Sequence, residues 1–172
     1  MQQKNNIVFI GFMGTGKTLI SNLLANKKAL SLIDTDDLIV EKSKLPIVDI
    51  FAQKGEKHFR DLETNILKSL LDKEKSIIST GGGIILKEEN RKLLKQLGLV
   101  IWLQADTEAI INRLKHDTSR PLLQGSDDEK KQKIQSLLTT RNSLYQACSD
   151  LIIDTSSLTP TDIITKIEKN FS

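Results

Sequence analysis

The sequence predicts one α/β domain built on a parallel sheet, and three observations carry that prediction. Five short apolar runs alternate with stretches of helical period, the pattern of strands joined by crossover helices. The first run, Ile7-Val8-Phe9-Ile10, leads directly into Gly11-Phe12-Met13-Gly14-Thr15-Gly16-Lys17-Thr18, a G-x-x-x-x-G-K-[ST] phosphate loop in its strand-loop-helix setting. The second and third runs end in Asp34-Thr35-Asp36-Asp37 and Thr80-Gly81-Gly82-Gly83, and open α/β sheets bind their ligands at such carboxyl ends.

Bulk composition narrows the function before any motif is weighed. With 172 residues, 38% hydrophobic and 27% charged, the chain reads as a single globular domain over 1–172. Its 25 basic and 22 acidic side chains leave a net charge of +3, far short of the clustered excess of a nucleic-acid binder, so no nucleic-acid partner is expected. Cys148 is the only cysteine, which rules out an internal disulfide and any Cys-based metal site and fits a reducing cytoplasm. No apolar run is long enough for a signal-peptide core or a membrane span. No membrane partner is expected, and a monomer is.

Taken in order, the loop comes first. Its glycines let the backbone curl so that the amides of Gly14, Thr15 and Gly16 face phosphate oxygens, joined by the amides opening the next helix, including that of Leu19. Lys17 supplies a point charge for the β- and γ-phosphates, and the Thr18 hydroxyl suits Mg²⁺. Leu19, Ile20, Leu23 and Leu24 then recur at helical spacing and predict a face packed on the sheet. Ala29-Leu30-Ser31-Leu32-Ile33 reads as a second, buried strand. At its end Asp34 suits a metal shell and Asp36 a substrate hydroxyl, while the structural alternative makes one of them a helix N-cap. Thr35 and Asp37 are the preferred caps for the helix starting near Asp37.

A short helix over Ile47-Val48-Asp49-Ile50-Phe51 is predicted to break at Gly55, before a longer helix from Glu56 to about Leu71. There Arg60 and Glu63, three apart, pair on one face and hold a guanidinium fit for a carboxylate, unless they form an ordinary surface ion pair. His58 reads as solvated. Ser76-Ile77-Ile78-Ser79 is the third strand, and the three glycines after it permit close approach of a ligand to the backbone or make a plain turn. No Asp ends this strand, which leaves Asp34 as the metal candidate.

Leu93, Leu94 and Leu97 mark a helix, Leu99-Val100-Ile101-Trp102-Leu103 a fourth strand with Trp102 in the core, and Ile110, Ile111 and Leu114 a further helix carrying Arg113. The segment 117–126, polar with one Pro and one Gly, reads as a lid loop, and Arg120 on it as a closing cation for the phosphates or else a solvated linker residue. A helix beginning at Asp127-Asp128-Glu129 reaches about Tyr145, and its charged start reads as a solvated face. Asp150-Leu151-Ile152-Ile153-Asp154 is the fifth strand, and Thr159-Pro160-Thr161-Asp162 caps the last helix. Cys148 reads as a packed small residue.

With these residues placed, the sequence resembles the shikimate kinase family over nearly its whole length. The elements that carry the resemblance stand in the family's order: Gly14-Thr15-Gly16-Lys17-Thr18, Asp34-Thr35-Asp36, Gly55-Glu56 with Phe59-Arg60, Gly81-Gly82-Gly83, Arg120-Pro121-Leu122-Leu123, and Arg141 in an Arg-x-x-x-Tyr stretch ending at Tyr145. The resemblance implies a P-loop NTPase of nucleoside-monophosphate-kinase type, with a five-stranded parallel sheet in the order 2-3-1-4-5. It implies phosphorylation of the shikimate 3-hydroxyl by ATP with Mg²⁺, in aromatic amino-acid biosynthesis.

Carried over by residue, the resemblance gives Lys17, Asp36 and Arg120 catalytic roles. It places shikimate on Asp36 and Arg60, in a substrate-binding subregion of about 35–62, and on Arg141 and the run Gly81, Gly82 and Gly83, with Ile47, Phe51 and Phe59 as apolar walls. Thr18 and Asp34 are the metal residues, and Arg113 and Pro160 flank the adenine. One departure is the lack of a glycine in Ala25-Asn26-Lys27-Lys28-Ala29-Leu30 before the second strand; another is Thr18 where Ser is frequent. The alternatives are a gluconate-kinase-like enzyme on the same fold and a non-catalytic nucleotide-binding module. A GTP switch lacks support, since neither Asn-Lys-x-Asp nor Asp-x-x-Gly after the third strand is present.

Overall fold

The structure, a computed structural model, describes residues 6–114 and 126–170. In chain order the elements are β1 (Ile7–Ile10), α1 (Lys17–Lys28), β2 (Ser31–Asp34), α2 (Thr35–Ser43), α3 (Ile47–Ser69), β3 (Ser76–Ser79), α4 (Glu88–Leu97), β4 (Leu99–Gln104), α5 (Thr107–Leu114), α6 (Asp127–Cys148), β5 (Leu151–Asp154) and α7 (Pro160–Lys169). The strands form one parallel sheet in the order β2-β3-β1-β4-β5, with Val8 opposite both Ile78 and Val100. Fold class and strand order therefore stand as expected.

Alternation along β1 divides the core between the two faces of the sheet. Val8 and Ile10 pack with Ile78, Val100 and Trp102 under α3, α4 and α6, while Ile7 and Phe9 pack with Ile77, Ile101 and Leu103 under α1 and α7. Trp102 is core, stacked on Tyr145 at 5.5 Å between ring centroids. Phe12, from the phosphate loop, joins Ile110, Leu114 and Ile134 in a third cluster that ties the loop to α5 and α6.

Helix ends follow the chemistry of the sequence. Gly55 interrupts α3 at φ 78 and ψ 169, a conformation that strains any other residue. α6 starts in a capping box of Ser126 and Glu129 and continues to Cys148, which is buried. α7 opens with a second box, Thr159 and Asp162, around Pro160.

Two expectations are corrected. The buried face of α1 is Ile20, Ser21, Leu24 and Ala25, whereas Leu19 and Leu23 are 53% and 39% exposed. The phosphate loop sets where the helix begins, and this turns the apolar face about one residue from the leucine spacing. β2 starts at Ser31 and is an edge strand, paired with β3 alone, with Ser31 and Leu32 exposed. Ala29 instead terminates α1 in the left-handed region at φ 51, donating its N–H to Ala25 and Asn26 carbonyls. It does there the work that glycine usually does.

Candidate active site

The carboxyl ends of β1, β2 and β3 converge with α5 and α6 on one cavity of about 510 Å³. On its floor the phosphate loop is braced by its own side chains: the Thr15 hydroxyl donates to the Phe12 carbonyl at 2.8 Å, and Lys17 Nζ donates to the same oxygen at 2.9 Å. Gly16, at φ 94, turns the chain into α1, whose first residues Lys17, Thr18 and Leu19 line the cavity.

Asp34 ends β2 and caps α2, its Oδ1 accepting from the amides of Asp36 at 2.9 Å and Asp37 at 3.4 Å. The cap belongs to Asp34, not to Thr35 or Asp37, because an extended residue preceding the first helical turn can fold its oxygen back onto those amides. The buried Thr35 hydroxyl accepts from the Gly81 amide at 3.3 Å and joins the β2 and β3 ends. Asp36 then lies against Gly81, where a Cβ would fall 2.6 Å from its Oδ1. At Gly83 a Cβ would fall 2.6 Å from Arg60 Nη2. Gly81 and Gly83 thus leave room for the Asp36 carboxylate and the Arg60 guanidinium, whereas a Cβ at Gly82 would meet nothing nearer than 3.4 Å.

Arg60 is held from several sides. Nη1 donates to Glu63 at 2.8 Å, Nη2 donates to Glu56 at 3.0 Å, and the guanidinium lies 5.3 Å from the Phe59 ring centroid. Glu63 is fully buried, and its Oε1 has no hydrogen-bond partner among the described residues. Burial pushes its carboxyl up to about 7 against the pull of Arg60, with Asp36 adding to the rise. Arg141, from α6, faces the cavity over the Phe12 ring at 5.7 Å. One turn on, the fully buried Tyr145 donates its hydroxyl to the Gly82 carbonyl; burial raises that hydroxyl's pKa and keeps it a donor.

At the opposite end Arg113 reaches the Gly14 carbonyl at 3.2 Å and the Thr155 hydroxyl at 3.0 Å. Mg²⁺ is the cation that such a site would take together with a bound polyphosphate. No three acidic, His or Cys side chains form a metal cage among the described residues, so such an ion takes most of its ligands from phosphate and water, the habit of Mg²⁺. Thr18 and Asp34 line that part of the cavity, and the cap occupies only Asp34 Oδ1.

Of the residues singled out from sequence, Gly14, Gly16, Lys17, Thr18, Leu19, Asp34, Asp36, Arg60, Gly81, Gly82, Gly83, Arg113 and Arg141 line this cavity, with Ile47, Phe51 and Phe59 as apolar wall. Thr15 is buried behind the loop, and Pro160 opens α7 away from the lining. Arg120 and nearly all of the expected lid lie outside the described residues. Two contacts went unread in the sequence, that of Tyr145 with the Gly82 carbonyl and that of Thr155 with Arg113. The i,i+4 spacing of Arg141 and Tyr145 puts the tyrosine on the cavity side of its helix but does not write its contact with Gly82; Thr155 carries no signal.

A phosphate loop sharing one cavity with a carboxylate and two arginines defines a small-molecule kinase of the P-loop class. The family model for shikimate kinase matches residues 13–172. The shikimate kinase of Thermodesulfovibrio yellowstonii is 42% identical over 166 residues, covering 96% of this chain and 94% of its own. That of Caldicellulosiruptor bescii is 44% identical over 155 residues, covering 90% and 88%. Shikimate kinase from Acinetobacter baumannii, solved in complex with shikimate, superposes with a TM-score of 0.90 at 34% identity, covering 99% of this chain and 93% of that one. The chain belongs to the shikimate kinase family, ATP-dependent phosphotransferases that act on a hydroxyl group with Mg²⁺.

Proposed function

We propose that the cavity transfers the γ-phosphoryl group of ATP to the 3-hydroxyl of shikimate, with the acceptor held at the Asp36 end and the nucleotide at the Lys17 end. The observation that carries the assignment is the sharing of one cavity by Lys17, Asp36, Arg60 and Arg141. Arg60 and Arg141 clamp the shikimate carboxylate, and the Gly81–Gly83 backbone meets the ring hydroxyls. Asp36 orients the 3-hydroxyl and takes its proton as the oxygen bonds to the γ-phosphorus and the bond to the β,γ-bridging oxygen breaks, releasing ADP. Lys17 neutralises charge on the transferring group. A bound Mg²⁺, with Thr18 and Asp34 as its protein residues, supplies further neutralisation. Arg120 closes over the phosphates, Arg113 and Pro160 flank the adenine, and the lid over 117–126 excludes water as a competing acceptor.

In this reading the enzyme is a monomeric cytoplasmic domain whose 35–62 segment is the substrate-binding subregion. Among the described residues, no helix is long and apolar enough to cross a membrane. The test is coupled ADP release from ATP and Mg²⁺ with shikimate, gluconate, a nucleoside monophosphate or no acceptor. Release that depends on shikimate alone is expected; equal release with gluconate would overturn the acceptor assignment.

A further inference from the structure

Thr155 follows β5 and is 1% exposed, yet every polar atom it has is engaged with a neighbouring segment. Its N–H donates to the Gln104 carbonyl at the end of β4, at 2.8 Å. Its carbonyl accepts from Arg113 Nη2 and its hydroxyl from Arg113 Nη1 at 3.0 Å. The single hydroxyl proton is within reach of the Gln104 carbonyl at 3.0 Å and the Thr15 carbonyl at 3.2 Å. Arg113 in turn donates to the Gly14 carbonyl. One residue, through its backbone and its hydroxyl, therefore joins β4, α5, the segment after β5 and the phosphate loop.

A trans peptide carries its C=O and N–H on opposite sides. The Gln104 carbonyl already accepts from the Thr155 N–H, so the hydroxyl proton serves the Thr15 carbonyl; this holds that carbonyl away from the cavity, which Thr155 does not line, and turns the Gly16 N–H of the same peptide toward the cavity that Gly16 lines. Arg113, which itself lines the cavity, donates to the Gly14 carbonyl at 3.2 Å and so ties the guanidinium to the same loop. Resting on the reading that ATP phosphates occupy this loop, we propose that Thr155 is a positioning residue for the nucleotide. Its hydroxyl sets the Thr15–Gly16 peptide for the phosphates and the Arg113 guanidinium for the adenine before the nucleotide arrives, so that neither needs to reorganise on binding.

The test compares Thr155→Val, which keeps shape and loses the hydroxyl, with Thr155→Ser, which keeps the hydroxyl. KM for ATP and the Kd values for MgADP and inorganic tripolyphosphate are expected to rise about 5- to 10-fold in the Val variant, while KM for shikimate stays within about twofold. The Ser variant is expected to restore all three to within about twofold of wild type. Tripolyphosphate has no adenine, so its weakening places the effect on the loop. Unchanged tripolyphosphate affinity in the Val variant, or equal loss in the Ser variant, overturns the proposal. If the Val variant does not fold, Thr155→Ala is read by the same criteria. Wild-type protein that binds nucleotide but shows no shikimate-dependent ADP release would instead sink the acceptor assignment and leave this comparison of nucleotide affinities standing.

Discussion

The two ends of the cavity hold their cations by opposite means. At the acceptor end Arg60 is gripped by two carboxylates, Glu56 and the buried Glu63. At the nucleotide end the hydrogen-bond partners of Arg113 among the described residues are neutral, the carbonyls of Gly14 and Thr155 and the Thr155 hydroxyl, with the Asp154 carboxylate nearby. A carboxylate grip fixes the guanidinium strongly but neutralises much of its charge before the substrate arrives. A grip by neutral dipoles fixes direction and leaves the charge available to the nucleotide. The first arrangement favours orientation of a small monoanion, and the second favours attraction of a highly charged nucleotide.

That contrast is broken most severely at Arg60. Arg60→Lys keeps the charge but loses the planar fork shared between Glu56, Glu63 and the incoming carboxylate. KM for shikimate is expected to rise about 10- to 100-fold with KM for ATP nearly unchanged, measured by steady-state kinetics with each substrate varied in turn. Equal rises in both constants would mean that the two ends are not independent. A smaller break is Tyr145→Phe, which leaves the stack on Trp102 and removes the donor to the Gly82 carbonyl. KM for shikimate is expected to rise about 3- to 10-fold, again without an effect on ATP. An unchanged value would show that Gly82 needs no support from α6.

The phosphate loop was the most legible part of the site, and of the two cation grips that on Arg60 was more legible than that on Arg113, for a physical reason. Glu56, Arg60 and Glu63 lie within two helical turns, so their i,i+4 and i,i+3 spacings write the contact into the chain. All five strands were legible too, as apolar runs bounded by polar turns. Strand order was not, since it depends on crossovers that no local pattern records, and it came from family resemblance. Tyr145 meets Gly82 across 63 positions, and Thr155 meets Arg113 across 42. Contacts so distant leave no periodic trace. β2 was mistaken for a buried strand because Ala29 and Leu30 extend its apolar run, and nothing in alanine advertises the left-handed cap at φ 51.

The smallest expected effect tests the chemistry of the contrast itself. Glu63 carries a carboxyl raised to about 7 chiefly by burial, so it gains charge as pH climbs from 6 to 8. Because its folded value lies above the unfolded one near 4.5, its stability contribution is full below pH 4.5 and is lost as pH rises through about 7. An anionic substrate beside Arg60 feels that new negative charge, partly screened by the guanidinium. At saturating ATP, KM for shikimate is therefore expected to rise about 3- to 5-fold between pH 6 and 8. Glu63→Gln keeps an acceptor for Arg60 but cannot ionise, and its KM should stay flat near the low-pH wild-type value. Titration of KM for shikimate in both proteins decides the matter. A wild-type KM that falls with rising pH would mean that the ionised carboxylate helps more by fixing Arg60 than it costs by repelling the substrate. The order of the two effects at the acceptor end would then be reversed.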